Sequence, residues 1–266
     1  MERNHAIGVL DSGVGGLTVA SEIFRSLPNE RIVYFGDTAR MPYGPRPHEQ
    51  VRSFVRQIIR FLETQDVKII IVACNSATAA GLSYYQAEFT LPVIGVIEPG
   101  VRAAIRHTKN KRVGVIGTAG TIASRAYEEA LGRLDPGIKV FSQACPLFVL
   151  LVENELTGTP EALRVAEEYL RPMRQAGVDT LILGCTHYPL LTGVLAKVLG
   201  PEVRLISSAE ETARDTSELL RRLNIEREPG GEVRHRFFVS GQPAQFAAVG
   251  SKLLCRPLDV YQIVLP

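Results

Sequence analysis

The sequence predicts an α/β protein with two pseudo-symmetric lobes and mainly parallel sheets, and three observations lead to this prediction. Short runs rich in β-branched residues alternate with longer amphipathic runs, as in repeated βαβ units. Four of these short runs recur in the same order later in the chain. Polar and glycine-rich segments follow the runs, where parallel sheets collect ligands. We therefore expect the active site in the cleft between the lobes.

Composition narrows the class of protein. The 266 residues are 45% hydrophobic and 22% charged, which is typical of a globular chain. Thirty basic and 28 acidic residues give a net charge of +2, so we expect neither nucleic acid nor a membrane as partner. The longest apolar run, Ile69–Cys74, is far shorter than the roughly 20 residues of a membrane helix. With no signal peptide and no Cys-x-x-Cys pair, we expect a cytoplasmic enzyme of small molecules with reduced thiols.

Each polar segment of the chain is located by the predicted strand that it follows. Short runs with high β-propensity define them. The ten predicted strands are Ala6–Leu10, Ile32–Phe35, Lys68–Ala73, Val93–Ile97, Arg112–Ile116, Ile138–Phe141, Thr180–Leu183, Val203–Ile206, Arg234–Val239 and Val260–Leu265.

The clearest helix is predicted over His48–Glu63. Its apolar residues, among them Val51, Val55 and Ile58, recur at helical spacing on one side. The opposite side carries arginines four positions apart, at 52, 56 and 60. In a chain of nearly balanced charge, such a stripe indicates a solvated helix face rather than a nucleic-acid site.

An internal repeat is the most informative feature of the chain. Four runs in the first part of the sequence match four later runs, in the same order and at a nearly constant offset. The repeat predicts two similar lobes, each with one cysteine at a corresponding strand end. The matched pairs are the runs that begin at Ala6 and Arg112, at Ile32 and Ile138, at Val67 and Val178, and at Val93 and Val203.

The cysteines that end the third matched pair, Cys74 and Cys185, are the candidate chemical groups. Cys74-Asn75-Ser76 opens an alanine-rich helix, where free N–H groups and the helix dipole favour a thiolate. Cys185 is followed by Thr186 and His187, and this histidine could stabilise a thiolate or donate a proton. Cys145 and Cys255 are predicted to be packing residues. A metal site is not expected, because Cys185-x-His187 lacks a second pair of ligands.

Three loops complete the candidate site. Asp11-Ser12-Gly13 begins a glycine-rich loop without the lysine of a phosphate loop, and its carboxylate suits the ammonium group of an amino acid. The matching loop around Thr118 has no acid and suits a carboxylate. The loop Gly36–Gly44 concentrates Asp37, Arg40 and Tyr43, which indicates either turn chemistry or ligand contact.

Two thiols at matching positions suggest one kind of reaction. Inverting a carbon stereocentre needs a proton removed from one face and another delivered to the opposite face. A thiolate and a thiol can do this in both directions by exchanging roles. From the residues alone, the sequence indicates a two-thiol epimerase or racemase.

The motifs together closely resemble those of glutamate racemases, within the aspartate/glutamate racemase superfamily. The resemblance rests on Asp11-Ser12-Gly13-Val14-Gly15-Gly16, Gly36-Asp37-Thr38-Ala39-Arg40 with Pro42-Tyr43-Gly44, Ala73-Cys74-Asn75-Ser76-Ala77-Thr78-Ala79, and Leu183-Gly184-Cys185-Thr186-His187-Tyr188-Pro189-Leu190. These blocks occur in the family's order. Ser76 is a departure, because threonine is usual at that position.

The resemblance implies cofactor-independent interconversion of L- and D-glutamate, with D-glutamate supplied to peptidoglycan synthesis. It implies a homodimer and two lobes, residues 1–98 with 208–266 and residues 99–207. Cys74 would deprotonate D-glutamate and Cys185 L-glutamate, with help from Asp11, His187 and Glu153. The implied substrate contacts are Asp11, Ser12, Tyr43, Gly44, Asn75, Ser76, Thr186 and His187.

Three other functions stay open at this point. An aspartate or other amino-acid racemase of the same superfamily would use the same thiols on a different substrate. A Cys/His amidohydrolase would use Cys185 and His187 and would not need Cys74. A non-catalytic binding protein would take up glutamate without exchanging its α-proton.

Overall fold

The computed structural model describes residues 2–265, which form two compact units. The first unit takes the chain up to Val96 and again from Ala209, and the second is Ile97–Ser208. Each unit contains one wholly parallel sheet with helices packed on it. The α/β class and the pair of parallel sheets are therefore confirmed. No helix in this part of the chain has the length and apolarity needed to cross a membrane.

The first unit contains a sheet of six parallel strands in the order β10-β9-β2-β1-β3-β4. The strands are β1 (Ala6–Asp11), β2 (Ile32–Gly36), β3 (Val67–Val72), β4 (Val93–Gly95), β9 (Arg236–Val239) and β10 (Val260–Gln262). The helices are α1 (Leu17–Ser26), α2 (His48–Glu63), α3 (Asn75–Glu88), α10 (Ser208–Leu223) and α11 (Pro243–Leu254). The central strands β1 and β3 are buried along their whole length.

The second unit contains a sheet of four parallel strands in the order β6-β5-β7-β8. The strands are β5 (Arg112–Gly117), β6 (Lys139–Ala144), β7 (Thr180–Gly184) and β8 (Arg204–Ile206). The helices are α4 (Ile97–His107), α5 (Ala119–Ala123), α6 (Ala126–Leu134), α7 (Leu147–Glu153), α8 (Pro160–Ala176) and α9 (Thr192–Leu199), with a 3-10 helix over Tyr188–Leu191.

All ten predicted strands are present, and their ends lie close to the predicted ones. Helix α2 has the predicted bounds. The shared strand order, 2-1-3-4 and 6-5-7-8, confirms the internal repeat. The strand register also confirms the predicted match of Val67 with Val178. Ile7 of β1 pairs with Ile69 of β3, and its counterpart Val113 of β5 pairs with Thr180 of β7. Ile69 therefore corresponds to Thr180, and two positions earlier Val67 corresponds to Val178.

Two of the other predicted matches were wrong by a slip of two positions. Ile7 pairs with Ile32, whereas its counterpart Val113 pairs with Val140, so Ile32 corresponds to Val140 rather than to Ile138. By the same reasoning, Val93 of β4 corresponds to Leu205 of β8 rather than to Val203. Because side chains alternate along a strand, a slip of two positions left the predicted face of every side chain unchanged.

In the arginine stripe of α2, Arg56 and Arg60 are exposed and Arg52 is half-buried, and each contacts a residue of α3. Arg56 and Arg60 contact the carboxylate of Glu88 on α3 at 2.6 and 3.1 Å. The guanidinium of Arg52 lies 4.3 Å from the ring centre of Tyr84. The solvated helix face is confirmed, and α3 supplies its partners.

A buried ion pair fixes the C-terminal part of the first unit to its sheet. The ammonium of Lys68 on β3 lies 2.6 Å from a Glu30 oxygen, with both side chains almost wholly buried. Lys68 also donates to the carbonyl of Ile225 at 2.7 Å, and Glu30 accepts from the N–H of Arg227 at 2.8 Å. Lys68 and Glu30 thus both hold the segment that follows α10 by hydrogen bonds to its backbone.

We expect Lys68→Met to lower the free energy of unfolding by about 3–5 kcal/mol, because it leaves the buried Glu30 carboxylate uncompensated. Urea unfolding followed by circular dichroism measures the change. The double variant Lys68→Met with Glu30→Leu should recover part of the loss, since no buried charge then remains.

Arg25→Ala, which removes a surface pair with Glu22, serves as the control and should leave the midpoint unchanged. A Lys68→Met protein as stable as the wild type would show that the pair does not hold the fold.

Candidate active site

A first group of candidate residues lies at the carboxyl edge of the first sheet. Asp11 ends β1 with its carboxylate buried and accepts the N–H of Gly13 at 2.9 Å. The hydroxyl of Tyr34 donates to the carbonyl of Gly13 at 2.7 Å. A Cβ at Gly16 would lie 2.5 Å from the Cβ of Asp11, so only glycine fits there. The glycine-rich loop is therefore built closely around the Asp11 carboxylate.

Cys74 follows β3 and is the N-cap residue of α3, so a helix begins directly after it, as the sequence predicted. Its side chain is buried, and its sulfur lies 3.8 Å from the hydroxyl oxygen of Ser12. Asn75 and Ser76, which the sequence offered as possible caps, lie inside the helix and are also buried. The α3 N-terminus favours negative charge at this position. The structure thus brings Cys74 and Ser12 together beside Asp11.

Tyr43 and Gly44 are buried in the loop that follows β2. The Tyr43 hydroxyl donates to the carboxylate of Asp37, and burial, together with the charge of Asp37, raises the pKa of this tyrosine well above its usual value. Among residues 2–265, the backbone N–H groups of Tyr43 and Gly44 have no hydrogen-bond partner. Two neighbouring backbone N–H groups without a hydrogen-bond partner suit an anionic ligand.

A second group of candidate residues, in the other unit, is a chain of three polar side chains. Cys185 follows β7 directly, and its sulfur lies 3.9 Å from Nδ1 of His187. Nε2 of the same ring lies 2.5 Å from a carboxylate oxygen of Glu153, the last residue of α7. The histidine is 2% exposed. Cys185 precedes a 3-10 helix rather than an α-helix, so His187 and Glu153 supply the electrostatic environment that α3 supplies to Cys74.

Opposing effects set the pKa of His187. Burial is the largest and lowers the pKa, but hydrogen bonds and charges of Cys185 and Glu153 together raise it to about 10. The ring is therefore an imidazolium at neutral pH and carries a proton beside the thiol. His235 shows the opposite behaviour, because burial and the nearby charge of Arg256 lower its pKa to about 4.

Two threonines accompany these groups. Thr118 is the N-cap residue of α5, and its hydroxyl accepts the N–H of Thr121 at 3.3 Å. The hydroxyl oxygens of Thr118 and Thr121 lie 3.0 Å apart. Thr186, between Cys185 and His187, is 7% exposed. Thr118 therefore caps a helix just after the strand end that corresponds to the end of β1.

The two remaining cysteines differ from each other. Cys145 is fully buried, and burial raises the pKa of its thiol, so its prediction as a packing residue is confirmed. The packing prediction for Cys255 is wrong, because this residue is exposed. It ends α11 in the left-handed conformation, with φ of 51°, and so leaves the buried helix face.

The sequence singled out Asp37 but missed its partner Ser240, which lies 203 residues away along the chain. No local pattern could have indicated that pairing. Among the described residues, no cluster of three or more His, Cys, Asp or Glu side chains could hold a metal ion.

Comparison with known proteins identifies the family. A sequence model of the Asp/Glu/Hydantoin racemase family matches residues 7–216. The glutamate racemase of Geobacter metallireducens is 50% identical over 261 residues, covering 98% of this chain and 97% of the relative. The chain therefore belongs to the Asp/Glu/Hydantoin racemase family.

Solved structures agree with this assignment. A glutamate racemase isoform from Bacillus anthracis matches with a TM-score of 0.96 and 48% identity, covering 100% of this chain and 99% of that one. The glutamate racemase from Francisella tularensis, solved in complex with D-glutamate, matches with a TM-score of 0.92 and 36% identity, covering 99% and 98%.

We expect NMR titration to show His187 protonated at pH 8 and His235 neutral at pH 6, as their opposite pKa shifts require. Glu153→Gln should lower the pKa of His187 by removing its carboxylate partner. A His187 resonance that titrates near pH 6.5 in the wild type would contradict the charged arrangement.

Stability should follow the same titration. The pKa of His187 is about 6.5 in the unfolded chain and about 10 in the folded protein. Its stabilising contribution is therefore complete below about pH 6.5 and is lost as the pH rises towards 10. The loss of thermal stability caused by His187→Gln should be larger at pH 6 than at pH 10. An equal loss at both values would contradict the raised pKa.

Proposed function

We propose that the protein interconverts L- and D-glutamate by moving the α-proton, without a cofactor. The observation that carries this proposal is the pair of buried thiols, Cys74 and Cys185, at corresponding strand ends in a chain so similar to glutamate racemases. A one-base enzyme would need only one of them. Two monoprotic groups of equal chemistry suit a reaction whose forward and reverse directions are mirror images.

Cys74 is the base for D-glutamate in this proposal. Its position at the N-terminus of α3 supports the thiolate, because the first helical N–H groups and the dipole interact favourably with negative charge. Asp11 assists it from the end of the adjoining strand. The neighbouring strands β1 and β3 support this role, since they bring the Asp11 loop and Cys74 to the same edge.

Cys185 is the base for L-glutamate. The imidazolium of His187 lies beside its sulfur and stabilises the thiolate, while Glu153 holds the ring by its other nitrogen. When Cys185 acts as the acid instead, the same imidazolium favours the return of negative charge to sulfur. The carbanion-like transition state needs such fixed charges, because the α-proton of an amino acid is very weakly acidic.

Substrate binding is assigned to the polar groups around the thiols. Asp11 suits the ammonium group of glutamate, and the free N–H groups of Tyr43 and Gly44 suit a carboxylate. Several of the other assigned groups are buried hydroxyls or amides, which fix orientation by hydrogen bonds. The further proposed contacts are Ser12, Asn75, Ser76, Thr118, Thr186 and His187.

We also propose that the two units are domains with the predicted boundaries, 1–98 with 208–266 and 99–207. The expected homodimer, cytoplasmic location and supply of D-glutamate to peptidoglycan synthesis follow from the resemblance to glutamate racemases. Size-exclusion chromatography with light scattering tests the dimer.

Proton NMR of L-glutamate with the purified protein in deuterium oxide tests the reaction. We expect the α-proton signal to disappear while optical rotation decays, with no cofactor added. L-aspartate under the same conditions tests the substrate class. Binding of glutamate without deuterium uptake would indicate a binding protein, and a trapped acyl-cysteine would indicate a hydrolase; either result contradicts the proposal.

We expect Cys74→Ala and Cys185→Ala each to reduce racemisation at least ~10³-fold, because each removes one of two obligatory acid–base groups. Polarimetry measures the rate, and circular dichroism shows that the fold persists. Cys255→Ala, which changes an exposed thiol, is the matched control and should keep full activity. Near-wild-type turnover by either active-site variant would exclude the two-base mechanism.

A further inference from the structure

We propose that Asp37 is a positioning residue, whose buried carboxylate fixes the Tyr43–Gly44 loop for substrate binding. The inference rests on the proposed function for its kinetic consequence. Its structural basis is independent of that function, because it concerns how one side chain joins three separate parts of the first unit.

The Asp37 carboxylate is fully buried at the end of β2 and accepts hydrogen bonds from three side chains. Nε of Arg40 donates to it at 2.8 Å, the hydroxyl of Ser240 donates at 2.7 Å, and the hydroxyl of Tyr43 donates to the oxygen that Arg40 contacts. A buried carboxylate is stable only when it is paired and hydrogen-bonded, and here both conditions are met.

The bond from Tyr43 determines what this tyrosine can offer a ligand. Because its hydroxyl donates to Asp37, the hydroxyl proton is not available to a ligand, whereas the backbone N–H is. Arg40 continues the support by donating to Gln57 of α2 at 2.5 Å and lying 4.3 Å from the Phe54 ring centre. The loop is thus held at both its start and its middle.

Ser240 connects this loop to the C-terminal part of the unit. Its hydroxyl accepts the N–H of Ala39 at 2.9 Å while donating to Asp37. Next to it, the N–H of Gly241 donates to the hydroxyl of Thr38 at 3.0 Å. A Cβ at Gly241 would lie 2.6 Å from that hydroxyl oxygen, so the two loops approach as closely as their backbones allow.

The internal repeat shows that the fold does not need a carboxylate here. Asp37 donates its N–H to the carbonyl of Asp11, and the corresponding residue of the second unit, Cys145, donates its N–H to that of Gly117, both at 2.9 Å. Cys145 forms no comparable side-chain network; its thiol contacts one carbonyl, that of Gln143. The corresponding backbone position in the second unit holds a small packing residue, so the side-chain network of Asp37 is particular to the first unit.

Steady-state kinetics on three variants test the inference. Tyr43→Phe should raise KM for both enantiomers about tenfold, with kcat falling less than about threefold, because it removes one charge-assisted bond. Asp37→Ala should raise KM at least as much, because it also removes the bonds from Arg40 and Ser240. Asp37→Asn, which keeps an oxygen acceptor, should recover most of the loss in KM. The double variant should be no worse than Asp37→Ala alone, since the bond from Tyr43 is already absent in that variant.

Amide hydrogen exchange of residues 38–46 provides a readout that does not need activity. Exchange should be faster in Asp37→Ala and in Tyr43→Phe than in the wild type. Asp179→Ala is the matched control, because Asp179 accepts the N–H groups of Lys109 and Asn110, each at 2.7 Å, just before β7. It should lower thermal stability but change neither KM nor exchange in the loop.

Three results would decide against the inference. Unchanged KM and exchange in Tyr43→Phe, which loses only one hydroxyl, would show that the bond positions nothing. A fall in kcat at unchanged KM would place Asp37 in the chemistry instead. An inactive wild type would refute the proposed function alone, and the exchange measurements would still decide whether Asp37 holds the loop.

Discussion

Parallel pairing of the strands is the constraint on which the candidate site depends. Asp11 pairs with Gly36, and Leu10 pairs with Val72, so the residues that follow β1, β2 and β3 meet at one edge of the sheet. In the second unit, Gly117 pairs with Ala144 and with Gly184. Parallel strands run in one direction, so each sheet must present all its carboxyl ends together. The main-chain hydrogen bonds of the sheets therefore determine where the candidate residues at the strand ends lie.

Equivalent positions in the two sheets carry different electrostatic environments. Cys74 has the N-terminus of α3, whereas Cys185 has the imidazolium of His187 supported by Glu153. A helix terminus provides fixed partial charge, whereas a histidine provides a full charge that depends on pH. Two thiols of the same intrinsic chemistry are therefore stabilised by different means.

The sequence predicted features that depend on periodicity or on adjacency along the chain. The ten strands, the bounds of α2 and the position of Cys74 before a helix are of this kind. It failed where the outcome depends on distant partners, as with Ser240, or on exact register, as with the slip of two positions between β2 and β6. The exposure of Cys255 depended on a single backbone conformation at a helix end, which an apolar neighbourhood does not reveal.

The C-terminal part of the chain adds strand β9 beside β2, and this explains why β2 and its counterpart β6 have different surroundings. Strand β9 pairs with β2, which is therefore buried along its whole length, whereas β6 is an edge strand with residues that are half-buried or exposed. The loop after β9 also brings Ser240 to Asp37, and the Lys68–Glu30 pair holds the segment that leads to it. A carboxylate at position 37 can be fully buried because the last part of the chain encloses it. The support of the Tyr43–Gly44 loop therefore depends on residues near the far end of the sequence.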